Sequence, residues 1–92
     1  MQPELSIDMM NNLYLTSFGG RINALYKGYW IGEKIIDPVV ADSQIGFVET
    51  AGYSDHAFII WEEGSGNADE GMGENAGVYV GIFFPDGRIT GF

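Results

Sequence analysis

The sequence predicts a mainly antiparallel β domain: one small twisted sheet of about five short strands, with an optional short N-terminal helix. Two observations carry this prediction. Short runs rich in Tyr, Phe, Trp, Ile and Val recur along the 92 residues, and these residue types favour strands. Turn signals containing Gly, Pro or Asp separate the runs. The length suits a single compact domain spanning residues 1–92.

The N-terminal residues 1–12 fit either a helix or a strand. In the helical interpretation Ser6 caps the helix, Asp8 lies in its first turn, and Met9 and Met10 face the core. The fold class is then α+β. The same residues also suit an additional strand of the sheet.

Two strand-forming runs, 13–18 and 21–26, flank Gly19-Gly20. Because both glycines can take positive φ, this arrangement predicts a tight hairpin. A helix over residues 21–30 is the alternative, since apolar residues recur there at helical spacing. Gly28 lies within that segment and weakens a helix, so the hairpin is preferred.

The remainder of the chain continues the alternation of strands and turns. Further strands are predicted at 34–40 (interrupted by Asp37-Pro38), 45–50, 56–63, 78–84 and, after the turn Pro85-Asp86-Gly87, 88–92. Residues 51–55 are predicted to be a turn. The Gly- and acid-rich segment 64–76 is long for a loop in a small domain and is expected to be mobile.

Charge is the most pronounced feature of the composition. Thirteen acidic residues face four basic ones, which gives a net charge of −9. Between Lys34 and Arg88 there is no Lys or Arg, while that stretch holds ten acidic residues. Such a field argues against direct contact with nucleic acid, which requires cations at the phosphates. It favours a basic protein surface as the partner.

The residue types and segments that the sequence lacks predict where the protein is located and whether it carries a cofactor. There is no Cys, which excludes disulfides and thiolate metal sites. The first residues lack the basic and apolar regions of a signal peptide, and no apolar run is long enough to span a membrane. We therefore expect a cytoplasmic protein that contacts no membrane and carries no cofactor.

Two patterns resemble a catalytic triad and a dinucleotide-binding loop but lack the geometry that each requires. A third offers calcium ligands, and there a solvated loop is preferred while calcium binding stays open. Ser54-Asp55-His56 has the residue types of a hydrolase triad, but consecutive residues on an extended chain point in opposite directions. Gly71-x-Gly73-x-x-Ala76 has the spacing of a dinucleotide fingerprint without the helix that must follow it. Oxygen ligands for calcium occur between Asn67 and Glu74, but not in the order of an EF-hand loop. We therefore expect no enzymatic activity.

The leading functional hypothesis is a small acidic binding protein that occupies a basic, nucleic-acid-handling protein surface. Carboxylates in a strand repeat about every 6.8 Å along one face and can oppose Lys and Arg groups. In size, charge and lack of Cys the chain is similar to phage-encoded anti-CRISPR and anti-restriction inhibitors, a likeness of composition alone. The expected partner-binding residues are Glu62, Glu63, Asp69, Glu70, Glu74 and Asp55, with Trp30 and Tyr29 as aromatic anchors.

Two alternatives remain open. A structural or self-assembling phage or bacterial β-domain would pair through the edge of its terminal strand, giving a homo-oligomer. An immunity protein against a basic toxin would use the same electrostatics as the inhibitor.

Overall fold

The computed structural model describes residues 3–64 and 77–91, and every regular element within those ranges is a β-strand. The strands are β1 (Glu4–Ile7), β2 (Leu13–Ser17), β3 (Arg21–Tyr26), β4 (Tyr29–Trp30), β5 (Lys34–Ile35), β6 (Gln44–Tyr53), β7 (His56–Gly64), β8 (Gly77–Phe83) and β9 (Ile89–Thr90). All pairings are antiparallel. The predicted fold class is therefore confirmed.

The strands form two sheets where the sequence predicts one. The first sheet has the order β1-β2-β3-β4, and the short β5 also pairs with β3. The second sheet has the order β6-β7-β8-β9. Strand β6 is longer than predicted, because it continues through residues 51–53 and turns only at Ser54-Asp55.

The hairpin prediction for residues 21–30 is confirmed over the helix. Ser17 pairs with Arg21 across the turn that contains Gly19 and Gly20. These glycines have φ values of +88° and +81°, a region that glycine enters without the cost a Cβ would impose. Strand β3 then pairs with β4, and the alternate residues Ile22 and Ala24 of β3 are buried, as one face of a sheet is.

The predicted N-terminal helix is not formed, because residues 4–7 pair with β2 as strand β1. Asp8 still accepts backbone hydrogen bonds, as a residue in a first helical turn would, but within a tight turn. Its Oδ1 accepts the N–H groups of Met10 and Asn12 at 2.8 and 3.0 Å. Asp8 therefore accepts hydrogen bonds from nearby backbone N–H groups in either structure. Pairing with β2 makes residues 4–7 a strand and not a helix.

The inner faces of the two sheets share one core. Its buried apolar members are Tyr14, Ile22, Ala24, Ile36, Ile45, Val48, Ala57, Ile59, Trp61 and Phe83. The rings of Tyr14 and Phe83 meet edge to face with centroids 5.7 Å apart, which joins the first sheet to the second. Trp61 is thus part of the core.

Strands β1 and β2 are also tied to β6 by polar contacts. The Thr16 hydroxyl donates to the Val48 carbonyl at 2.8 Å. Just beyond the ends of β1 and β6, the Met9 N–H donates to the Ser54 carbonyl at 2.8 Å. Gly52 lies where β1 crosses β6, and a Cβ there would collide with the backbone carbonyl of Ile7. The absence of a side chain at Gly52 is what permits this close crossing.

Replacing Tyr14 by Phe tests the polar anchor of this crossing. The buried Tyr14 hydroxyl donates to Asp8 Oδ2 at 2.6 Å, a hydrogen bond to a charged acceptor. Its loss is expected to lower the free energy of unfolding by about 2 kcal/mol, measured by urea denaturation. Tyr29→Phe is the matched control, because Tyr29 is 79% exposed. Equal effects of the two substitutions would contradict the anchoring role.

Candidate protein-binding surface

Strands β7 and β8 carry apolar side chains on both of their faces. Their inward residues belong to the core, while the outward positions of β7 hold Phe58 and Ile60 and those of β8 hold Val78 and Val80. These outward side chains are 42%, 40%, 64% and 48% exposed. Large contiguous apolar patches are rare on the surface of a monomer, which makes these residues the candidate surface.

The strand register makes these residues one continuous patch. Ile60 lies opposite Val80, and Phe58 lies opposite Ile82 on one side and Ala51 on the other. Directly opposed side chains in a sheet are in contact range. We call this surface, with the two glutamates described next, the acid-flanked face. Its members are Ala51, Phe58, Ile60, Val78, Val80 and Ile82, with Glu49 and Glu62.

Two exposed carboxylates lie at one end of the patch. Glu49 is opposite Ile60, and Glu62 is opposite Val78. Because Glu62 follows Ile60 by two residues, it is the diagonal neighbour of Glu49, roughly 7–8 Å away between backbones. Glu4 lines the same shallow depression, which has a volume of about 430 Å³.

These carboxylates have no basic partner within the described residues. The ion pairs there are Arg21–Glu33, His56–Asp55 and Arg88–Asp86. Glu49 and Glu62 therefore repel each other across the sheet without a neighbouring cation to offset the repulsion. A Lys or Arg supplied by a partner would relieve it.

Glu63, which the sequence predicts as a partner contact, is instead buried, and its carboxylate is fully engaged in hydrogen bonds. Its carboxylate accepts hydrogen bonds from Val39 N–H at 2.7 Å, Val40 N–H at 3.0 Å, the Ser43 hydroxyl at 2.9 Å and Trp61 Nε1–H at 2.9 Å. Burial opposes ionisation of Glu63, but these four donors hold its pKa below the usual value. Glu63 thus fastens the 39–43 segment to β7.

The other predicted contacts do not converge with Glu62. Tyr29 and Trp30 are exposed, but they form β4 of the first sheet. Asp55 lies in the turn that precedes β7, seven residues from Glu62 and thus roughly 23 Å along the strand. It lines a cleft of about 660 Å³ that also contains Lys27, Asp86 and Arg88.

Several predicted sites lie outside the described residues. These are the partner contacts Asp69, Glu70 and Glu74, the calcium ligands from Asn67 onward, the Gly71-x-Gly73-x-x-Ala76 pattern, and residues 65–76 of the predicted mobile segment. The same holds for Phe92 at the terminal edge. The partner contacts, the mobile segment and the edge contact remain predictions, and calcium binding stays open.

The residues Ser54, Asp55 and His56 form a turn entering β7. His56 Nδ1 and Asp55 Oδ1 are 3.0 Å apart, and the His56 ring lies between the rings of Tyr53, Phe58 and Phe84. Across residues 3–64 and 77–91, no three His, Asp or Glu side chains come together as a metal-binding group.

The sequence-based search missed most of the acid-flanked face. A signal for it was present in residues 57–61 and 78–84, which are apolar at nearly every position. A strand covered on one face alternates apolar and polar residues, whereas a continuous apolar run indicates two faces that avoid water. A chain of 92 residues has too little structure to cover both faces of every strand.

Comparisons of the chain with known proteins give no match. No protein-family model matches the chain, and no curated protein or solved structure is similar to it. Within the part of the chain that the structure describes, no helix is long and apolar enough to cross a membrane.

Proposed function

We propose that this protein is a non-catalytic binding domain that docks onto a partner protein through its acid-flanked face. The observation that carries the proposal is a continuous apolar patch across β6, β7 and β8 that ends at two carboxylates without described basic partners. The matching partner surface is apolar at its centre and bears Lys or Arg at one side.

The two halves of the face have different physical roles. Burial of the apolar patch supplies affinity at roughly 25 cal/mol per Å² removed from water. The carboxylates of Glu49 and Glu62 supply orientation and selectivity for a cationic partner, and the net charge of −9 accelerates the encounter. Binding through this face therefore combines a salt-insensitive apolar contribution with an electrostatic one that weakens with salt.

The proposal extends to the class of partner. Basic patches of the required kind occur on proteins that hold phosphates, so a nucleic-acid-handling protein is the partner that the charge of this chain fits best. Occupation of such a patch would block nucleic acid, which makes the domain an inhibitor. Neutralisation of a basic toxin would use the same contacts.

The test is a comparison of two neutralised variants in capture from a bacterial lysate at low salt. Glu49→Gln/Glu62→Gln is expected to retain about one tenth or less of the captured partner. The same variant should unfold at an equal or higher urea concentration than the wild type, because a like-charge diagonal pair has been removed. Reduced binding without reduced stability distinguishes a contact surface from a structural one.

Asp37→Asn/Asp42→Asn is the matched control, since it removes the same charge from exposed positions of the 36–43 segment. It should bind as the wild type does. If both double variants lose capture equally, net charge alone drives the association and the acid-flanked face is not the site.

A further inference from the structure

The outer face of the first sheet is a second apolar surface, on the other side of the core. Ile7 pairs with Leu13, Leu13 with Leu25, and Leu25 with Trp30. The row thus crosses all four strands from β1 to β4. A second row runs from Leu5 to Leu15. We call these residues the neutral face: Leu5, Ile7, Leu13, Leu15, Leu25 and Trp30.

The exposed fractions confirm that this face points away from the core. Leu5, Ile7 and Trp30 are 61%, 53% and 48% exposed. Their opposite-facing neighbours in β2 and β3, Tyr14 and Ala24, are fully buried. The outward direction of the row is therefore fixed by the alternation of the strands.

The neutral face lies in the part of the chain that carries no net charge. Residues 1–31 hold two acids, Glu4 and Asp8, and two bases, Arg21 and Lys27, so the segment is formally neutral. Residues 32–92 hold eleven acids against two bases, which accounts for the whole net charge of −9. Neither acid of the first segment lies on the neutral face, because Glu4 and Asp8 have the opposite parity from Leu5 and Ile7.

We propose that the neutral face is a self-association surface that pairs with the same face of a second copy of this chain. A face without carboxylates lets two strongly acidic molecules meet with the least repulsion. At the margin of the face Arg21 lies beside Glu33, with Nε and Oε1 3.8 Å apart and both side chains about half-exposed. In a dimer with two-fold symmetry, Arg21 of each copy can lie against Glu33 of the other copy.

The size of the face sets the expected strength. One row of four side chains and a second row of two, on strands about 4.8 Å apart, cover less than the roughly 800 Å² per partner of a standard interface. We therefore expect a reversible dimer with a dissociation constant in the micromolar range, roughly 1–100 µM. Its salt dependence should be the reverse of that expected for the acid-flanked face, because salt screens the repulsion between two anionic bodies.

The experiment is sedimentation velocity on the full chain over a concentration series from about 1 to 500 µM, chosen to span the expected dissociation constant. The wild type should shift from monomer to dimer, and the shift should occur at lower concentration in about 0.5 M salt. Ile7→Lys should raise the dissociation constant at least about tenfold. Leu5→Lys is a second variant on the same face, and circular dichroism establishes that each variant is folded.

Val78→Lys is the matched control, because it places the same charge at a comparably exposed position of the acid-flanked face. It should dimerise as the wild type does. A wild type that stays monomeric at about 500 µM, well above the expected dissociation constant, would overturn the proposal. Equal weakening by Ile7→Lys and Val78→Lys would also overturn it. Neither result bears on partner capture, which is measured separately.

Discussion

Replacing Glu63 by Gln is expected to lower the free energy of unfolding by about 2–3 kcal/mol. Four donors converge on this buried carboxylate, two of them backbone N–H groups of Val39 and Val40. An amide nitrogen at one of the two oxygen positions would turn a donor toward those donors and remove the charge that strengthens the hydrogen bonds. Thermal unfolding should register a decrease of roughly 10–20 °C.

The same substitution should change how stability depends on pH. Hydrogen bonding holds the pKa of Glu63 in the folded state below its usual value, near 4.3 in an unfolded chain. Its contribution is therefore fully present above the unfolded pKa and disappears as pH falls through the folded pKa. The difference in unfolding free energy between wild type and Glu63→Gln should be largest at neutral pH and shrink in acid.

Glu62→Gln provides the matched control for Glu63→Gln. The two residues are adjacent in β7, but Glu62 is exposed and Glu63 is buried. The control should change stability by less than about 0.5 kcal/mol. If Glu63→Gln were equally mild, or if its cost did not vary with pH, Glu63 would not be the anchor of the 39–43 segment.

Replacing Val78 by Lys is expected to reduce partner binding about a hundredfold or more. Val78 is 64% exposed and lies opposite Glu62, so the new ammonium would neutralise the carboxylate that receives the partner's cation. It would also place the Lys ammonium within the apolar contact, where losing its water costs free energy. The measurement is the dissociation constant of the captured partner, obtained by biolayer interferometry with the wild type as reference.

Ile7→Lys is the control in this experiment, because the neutral face should not contact the partner. Its dissociation constant should agree with that of the wild type within about threefold. A fall in affinity for Ile7→Lys with none for Val78→Lys would assign partner binding to the neutral face and contradict the proposed function.

The hairpin at Gly19-Gly20 and the strands around residues 56–64 and 77–83 could be predicted because their signals are local. Turn glycines and dense apolar runs act on the nearest residues, and these interactions decide whether a segment extends or turns. The first residues could not be assigned in the same way. Asp8 is equally compatible with the first turn of a helix and with a tight turn between strands. Pairing with β2 makes the preceding residues a strand.

The site was less predictable than the fold. Acidic residues that look equivalent in the sequence differ in burial in the structure. Glu62 and Glu63 are adjacent, but they point to opposite faces of β7, so Glu62 is exposed and Glu63 is buried. The alternation of residues along a strand can be read from the sequence, but which of them face the core depends on how β7 packs against the first sheet. The pairing of Glu49 with Ile60 likewise depends on a register that a bulge between Ile45 and Val48 resets.

The location of the partner on the acid-flanked face is tested most directly by hydroxyl-radical footprinting of the free protein and of its complex. Oxidation is measured by mass spectrometry at Phe58 and at Trp30, which are both exposed and lie on opposite sheets. We predict that binding protects Phe58 strongly and leaves Trp30 unchanged at protein concentrations below those at which copies self-associate. Protection of Trp30 with Phe58 still fully reactive would contradict the proposed surface.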